Sequence, residues 1–295
     1  MKPYVFISPA TRGLSLALTR YYLANTTMPV FATHRALNPT EIRSRILDRL
    51  PNDIAHRLTL IPLELTDESS IKAAAEALAS ALPSNARLHR AWITGGVLLT
   101  NETRAEDIDY TLLLQTFQIN VISHLLIMKH FARFLPEYRI NPSQHSAPRA
   151  TDLAQTQNSS NSSGYIPQSH PHTPASKWIH ISSGLSSLLD NYTGSFYSYR
   201  VSKSALNQAI KTFDIQLQLQ QHENIHNHVS TLGTSIVLGV VPGTVKTDLS
   251  KGFYKGAPVM LEPEDAARQI VRVVDELGEK QRGAVWDWAG RRVPW

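Results

Sequence analysis

Apolar, β-rich runs alternate with helix-patterned segments from the start of this chain, and that alternation restricts its fold more than any other feature. Tyr4–Ser8 reads as a strand and Gly13–Leu23 as a helix with apolar residues at 14, 16, 18 and 23. Pro29–Thr33 reads as a second strand, Thr40–Leu50 as a helix, Leu58–Leu63 as a third strand, Ser69–Leu82 as an alanine-rich helix and Leu88–Thr94 as a fourth strand. Parallel neighbours need a crossover, and helices supply it. Leu112–Leu135 then carries apolar residues at helical spacing. Trp178–Ser182 reads as a strand, Tyr199–Gln221 as a helix, Ser235–Val241 as a strand, Pro263–Leu277 as a helix, and a short strand follows near Ala284–Trp286. About seven strands with helices between them predict the α/β class: a single doubly wound, Rossmann-type, seven-stranded parallel sheet with helices on both faces.

Residues 1–295 read as one domain, interrupted at 141–176 by a segment rich in Ser, Asn, Gln, His and Pro. Such a segment buries too little apolar surface to offset its ordering entropy, so a mobile surface insertion is expected there. Over the whole chain, 42% hydrophobic and 18% charged residues leave ample material for a core. The formal net charge of +5 is scattered, with Arg291-Arg292 the only tight basic pair near an end, which argues against a nucleic-acid partner. The absence of cysteine excludes disulfide scaffolds, thiolate metal sites and a cysteine nucleophile. The N-terminal MKPYVFISPATRG reads as a first strand rather than a signal peptide. By this reading no apolar stretch approaches the roughly 20 residues that span a bilayer, so a cytoplasmic protein with no membrane partner is expected.

The strongest local signal is Tyr199-Arg200-Val201-Ser202-Lys203. On a helix, i and i+4 share a face, so the ammonium lies beside the phenol. A nearby positive charge favours the phenolate and lowers the tyrosine pKa from near 10, toward proton exchange with an alcohol or carbonyl oxygen. Sixteen residues earlier, Ile181-Ser182-Ser183-Gly184 ends a β-rich run. A serine at the carboxyl end of a central strand points into the crevice where α/β sheets bind ligands.

With these motifs the chain resembles the short-chain dehydrogenase/reductase family, over nearly its whole length apart from the insertion. The long Ser183–Tyr199 spacing, Y-R-V-S-K-S-A-L-N and the ending at Arg291-Arg292-Val293-Pro294-Trp295 look closest to its sniffer/C-factor-like carbonyl reductase branch. The resemblance implies an NADP(H)-dependent oxidoreductase acting on a small-molecule carbonyl or alcohol. It implies Tyr199 as acid/base, Lys203 lowering its pKa and holding the nicotinamide ribose, and Ser183 orienting substrate, with Ser182 as the other candidate serine. Asn120, in Gln118-Ile119-Asn120-Val121, corresponds to the asparagine that anchors a proton-relay water. Pro242, Gly243, Val245 and Thr247 correspond to a P-G-x-V-x-T segment lying against the nicotinamide amide.

Two segments depart from the family pattern. Its T-G-x-x-x-G-x-G loop appears as Ser8-Pro9-Ala10-Thr11-Arg12-Gly13-Leu14-Ser15, with only the middle glycine kept. Pro9 removes an N–H, while the helix N-terminus still offers amides to a pyrophosphate and Thr11 or Ser15 adds a hydroxyl. The N-N-A-G segment reads Ile93-Thr94-Gly95-Gly96. Thr94 replaces one asparagine only in part. Strand 2 ends Ala32-Thr33-His34-Arg35 without the acid that would bind a ribose 2′-OH and repel a 2′-phosphate. Arg12 and Arg35 offer charge-assisted bonds to that phosphate, which favours NADP over NAD. Glu64 and Leu65 correspond to positions near the adenine.

His222-Glu223-Asn224-Ile225-His226 matches H-E-x-x-H, but it ends a glutamine-rich polar helix, so no metal is expected. Tyr192, Phe196, Tyr197, Phe253 and Tyr254 read equally as a substrate pocket or ordinary core, and Ser250–Leu261 as a lid. Three functions compete: an active carbonyl reductase, a non-catalytic NADP(H)-binding sensor on the same fold, and a hydrolase using His222 and His226. The resemblance also allows a homo-oligomer built through the two long helices.

Overall fold

The computed structural model describes residues 1–35, 38–136, 175–226, 234–256 and 259–295, and side chains there except those of 224–226 and 253–256. The insertion expected at 141–176 falls almost wholly outside them.

Alternation along β1 (Lys2–Ser8) sends Tyr4 and Phe6 to one face of a sheet and Val5 and Ile7 to the other, and each pair joins a different core. After β1 come α1 (Gly13–Asn25), β2 (Val30–His34), α2 (Pro39–Leu47), β3 (Leu58–Pro62), α3 (Glu68–Ala81) and β4 (Ala86–Ile93). Then α4 (Tyr110–Phe117) passes through a π turn (Gln118–Ile122) into α5 (Ser123–Phe131). β5 (Ser176–Ile181), α6 (Tyr197–His226), β6 (Ser235–Val241), β7 (Thr244–Val245), β8 (Met260–Leu261), α7 (Pro263–Glu276), β9 (Val285–Asp287) and β10 (Arg292–Val293) complete the described order.

Helix starts follow local chemistry. Asn38 accepts bonds from Thr40 N and Glu41 N with Pro39 in the first turn, and Asp67 and Asp109 accept from Ser69 N and Leu112 N.

The sheet order is β10-β9-β6-β5-β4-β1-β2-β3. The seven strands from β3 to β9 run parallel, as the alternation requires. An eighth, β10, adds an antiparallel edge with Val293 opposite Val285, and β7 and β8 form a separate two-stranded sheet. These pieces are two residues long, too short for a period to show in sequence.

One core lies under α3, α5 and α6, around Phe6, Phe131 and Trp178; the other lies under α1, α2 and α7, around Leu18, Trp92 and Ile270. Each such side chain, wholly buried, contributes roughly 1.5–3 kcal/mol. Chain order reverses between β1 and β4, which opens a crevice at their carboxyl ends, where Ser8 stands beside Ile93.

One expectation needs correcting. Tyr110–Phe134 is a continuous 25-residue helical run whose mean hydropathy reaches 1.4, so one stretch does have the length and composition to cross a bilayer. Here it lies against the sheet and α6, and its buried polar residues Asn120 and His124 find partners on β5, α6 and the segment after β4.

Candidate active site

α6 begins after three residues with left-handed backbone: Gly194 (φ 62°), Ser195 (φ 61°) and Phe196 (φ 55°). For the two non-glycines that conformation costs about 1–2 kcal/mol each. Arg200 offsets it. Its Nε donates to Gly194 O (2.9 Å) and Ser195 O (3.0 Å), and its terminal nitrogens reach Leu185 O (3.2 Å) and Thr193 Oγ1 (3.0 Å). Buried Glu102 closes the other side. Phe196 N donates to its carbonyl (2.7 Å), Ser198 N to its Oε2 (2.8 Å), and the Ser198 hydroxyl to its Oε1.

From this anchored start, the helical repeat places Tyr199 and Lys203 on one buried face, with Lys203 Nζ 5.9 Å from the tyrosine ring centroid. Lys203 Nζ donates to Ile181 O at the end of β5 (2.9 Å). An ammonium has three donors, so others remain for a ligand. Asn120, in the π turn and 0% exposed, accepts from Val97 N (2.8 Å) and donates to Val97 O (3.0 Å) and Ser202 Oγ (3.0 Å). It ties the segment after β4 to α6 at Ser202, three residues after Tyr199.

The serine pair divides cleanly. Ser182 is buried and donates to Asn207 Oδ1 (2.6 Å), which makes it part of the scaffold. Ser183 is half-buried, accepts from Leu185 N (3.2 Å) and hydrogen-bonds the Tyr199 side chain. Burial holds the Tyr199 hydroxyl above its ordinary pKa, and the bond with Ser183 pulls the other way. Burial, rather than the Lys203 charge, therefore dominates Tyr199 in the ligand-free protein. Burial also pushes the Lys203 ammonium down to about 8.

Across the crevice, Gly13 opens α1 with φ 52°, and a Cβ there would meet Thr247 Cγ2 at 3.0 Å. Only glycine combines that backbone with that contact. The contact also brings the segment after β6 onto the α1 loop. Gly243, at φ 77°, stands where a Cβ would meet Trp288 Cδ1 at 2.8 Å; Val245 is buried beside it, and Pro242 is half-buried. α1 has no side-chain cap and no acid in its first turn, so its first amides face the crevice unblocked. Ser15 Oγ is spent on Arg12 O (2.8 Å), and Ala10 N on Thr33 O (3.0 Å). Ser8 is buried and accepts from Thr33 Oγ1 (2.9 Å); Thr11 and Leu14 are half-buried. Arg12 and Arg35 are exposed, at the entry to α1 and just after β2.

Thr94 N and Oγ1 reach Ser8 O (2.7 Å) and Pro9 O (2.9 Å), so this threonine links β4 to the α1 loop. Leu65 Cδ1 lies 2.9 Å, and Pro9 Cδ 3.7 Å, from where a Cβ on Gly95 would stand. The equivalent point on Gly96 is 3.3 Å from Lys203 Nζ. Glu64 turns onto its own loop and accepts from Thr66 N (3.0 Å). The structure thus gathers Gly13 with Thr247, Leu65 with Gly95, and Gly96 with Lys203. It does not show Arg12 and Arg35 meeting.

Sequence reasoning missed Glu102, Asn207 and the buried pair His124 and His180. Asn207 closes the Y-R-V-S-K-S-A-L-N run, the other three lie in no recognisable motif, and each acts through a partner at least 25 residues away. Arg200 lies inside the Tyr199–Lys203 motif, but its bonds to the preceding turn were not legible. His222 and Glu223 are exposed at the end of α6, and the side chain of His226 lies outside the described ones. Tyr192 and Tyr197 are exposed rather than core; the side chains of Phe253 and Tyr254, and part of the expected lid, lie outside the described residues.

No family model matches the chain. C-signal of Myxococcus xanthus is 31% identical over 116 residues, which cover 39% of this chain and 59% of that protein. The 1-hydroxy-2-glutathionyl-2-methyl-3-butene dehydrogenase of Rhodococcus sp. (strain AD45) is 33% identical over 115 residues, 39% of this chain and 45% of that protein. The chain therefore matches only about half the length of these two relatives. Among solved structures, carbonyl reductase Sniffer of D. melanogaster aligns with a TM-score of 0.73 at 22% identity, covering 100% of both chains. NADPH-bound carbonyl reductase from chicken fatty liver aligns at 0.72 and 22%, again over 100% of both. A short-chain dehydrogenase/reductase of Burkholderia multivorans, solved with bound NADP, aligns at 0.66 and 21%, also over 100% of both. The resemblance carried by the motifs extends to the fold and to sequence relatives.

Proposed function

We propose that this chain is a short-chain dehydrogenase/reductase that uses NADP(H) to interconvert a small-molecule carbonyl and its alcohol, with Tyr199 as the acid/base. One observation carries the reading: Ser183, Tyr199 and Lys203 form a connected, largely buried group at the carboxyl ends of the central strands, and Asn120 ties the adjoining backbone to it. The residues fit a dinucleotide. The α1 amides are unblocked, Gly13 lets Thr247 close onto the α1 loop, and Lys203 keeps unused donors beside Gly96.

When bound, the nicotinamide supplies or accepts the hydride. Ser183 donates to the substrate oxygen and fixes its place beside the Tyr199 hydroxyl. In the reducing direction Tyr199 gives its proton to that oxygen as charge builds there, and in the oxidising direction it takes the proton back. Lys203 holds the ribose hydroxyls and stabilises the phenolate once the proton has left. Asn120 keeps the segment after β4 in register with α6, and so supports the route by which Tyr199 is reprotonated. Arg12 and Arg35 receive the 2′-phosphate, while Ser8, Thr11, Leu14, Glu64, Leu65, Thr94 and the Pro242–Thr247 segment line the remaining coenzyme path. Residues 1–295 act as one domain in this reading. Exposed Leu114, Ile122 and Leu125 on the α4–α5 run and Val201 on α6 offer an apolar face for a second copy.

NADPH oxidation measured against a panel of ketones, aldehydes and quinones tests this. Turnover that is equal in the Tyr199→Phe protein would remove the mechanism. A non-catalytic NADP(H) sensor is favoured by one feature, the α1 loop, where Pro9 has no N–H and Ala10 N is already bonded. Tight NADPH binding without turnover on any carbonyl would select it.

A further inference from the structure

A buried chain of rings lies beneath the Gly95–Gly96 turn, and the motifs above do not account for it. Trp178 and His180 alternate on β5, so both face the α5 side of the sheet, and His124 on α5 meets them there. Trp178 Nε1 donates to His180 Nε2 (2.8 Å), the two histidine Nδ1 atoms are 2.7 Å apart, and His124 Nε2 is 2.8 Å from Gly95 O. Both histidines are completely buried.

An indole nitrogen only donates, so His180 Nε2 accepts and His180 carries its proton on Nδ1. That proton meets His124 Nδ1. His124 therefore carries its own proton on Nε2, aimed at the Gly95 carbonyl. Trp178 thus sets the direction of every bond in the chain. Protonating either ring would set two N–H groups face to face; burial, helped by the nearby Lys203 charge, holds His124 at about 3 and His180 well below its ordinary value.

We infer that Trp178, His180 and His124 form a positioning relay for the coenzyme, fixing the Gly95–Gly96 backbone against Leu65 on one side and Lys203 on the other. With Thr94, the relay holds this turn where the sequence lacks an asparagine pair. Asn120 pins the next step by bonding both N and O of Val97. The inference rests on the coenzyme reading above.

Wild type, His124→Leu and Trp178→Phe are compared. In 15N NMR of the ligand-free protein, His180 is expected as the Nδ1–H tautomer and His124 as the Nε2–H tautomer, both unchanged between about pH 5 and 9. Reversed tautomers, or titration of either ring in that window, overturn the relay. In His124→Leu, hydrogen exchange at the Gly96 and Val97 amides is expected to quicken about tenfold, and KM for NADPH to rise about tenfold, with kcat within about threefold at saturating coenzyme. A folded variant with unchanged exchange and KM, or with loss confined to kcat, overturns it. Should His124→Leu not fold, Trp178→Phe decides: releasing His180 Nε2 mixes the tautomers and raises KM about threefold, whereas a single unchanged tautomer pair refutes the assignment. Tautomers and exchange are read without NADPH. A protein that binds no NADPH yet shows both signatures breaks the coenzyme reading and keeps the relay.

Discussion

On the Tyr199 side of the crevice, the backbone is held by side chains from the motifs themselves: Asn120 bonds Val97 twice, and Lys203 ties α6 to the end of β5. On the α1 side the loop has lost two of its three glycines, and its hold comes from elsewhere. Thr94 reaches Pro9, Thr33 reaches Ser8, and Thr247 covers Gly13. The contrast separates two demands. Where a particular atom must give a proton or a hydrogen bond, few side chains will serve. Where only the path of the backbone matters, many can hold it.

That contrast can be broken most sharply at Tyr199. Tyr199→Phe deletes one hydroxyl and is expected to lower kcat by about 10³-fold with NADPH affinity nearly unchanged, read by steady-state rates and a fluorescence titration. The serine pair gives the next effect. Ser183→Ala is expected to lower kcat/KM about 10²-fold. Ser182→Ala should lower it far less, while costing about 1 kcal/mol in denaturant unfolding. The reverse order would reassign the reacting serine.

On the α1 side, replacing Arg12 and Arg35 together by alanine should cut the preference for NADPH over NADH about 10-fold or more and leave kcat unaltered. An unchanged preference would return both arginines to ordinary surface.

The smallest effect is one of pH. Lys203 sits at about 8 in the folded chain against an ordinary value of 10.5, so the unfolded chain binds more protons between the two. Stability of the ligand-free protein should therefore rise with pH from about 8 toward 10 on this group's account. Beyond that, Tyr4 and Tyr22, whose pKa values burial raises, favour the unfolded state. Lys203→Met should flatten the rise in a series of urea titrations.

Sequence patterning reached the seven parallel strands because each strand of that set is bounded by a helix or a turn. β10 escaped because Arg292–Val293 is too short to carry a period. At the site, Y-x-x-x-K was legible because helical spacing alone brings its ends together. His124 and His180, 56 positions apart, become partners only once α5 lies on β5. The choice between Ser182 and Ser183 needed Asn207, which helical spacing puts on the Tyr199–Lys203 face but whose partner just after β5 only the fold supplies. The electrostatic argument for Tyr199 failed in part for the same reason: burial depends on the whole fold, while a neighbour four residues on is visible at once.

The left-handed turn at Gly194–Phe196 has a practical consequence for anyone re-engineering this protein. Its clamp, Arg200, sits inside the segment between Tyr199 and Lys203, so the rim of the crevice and the buried Tyr199 share one short stretch of chain. A rim transplanted from another protein of this fold would arrive without its latch unless that arginine and Glu102 travelled with it.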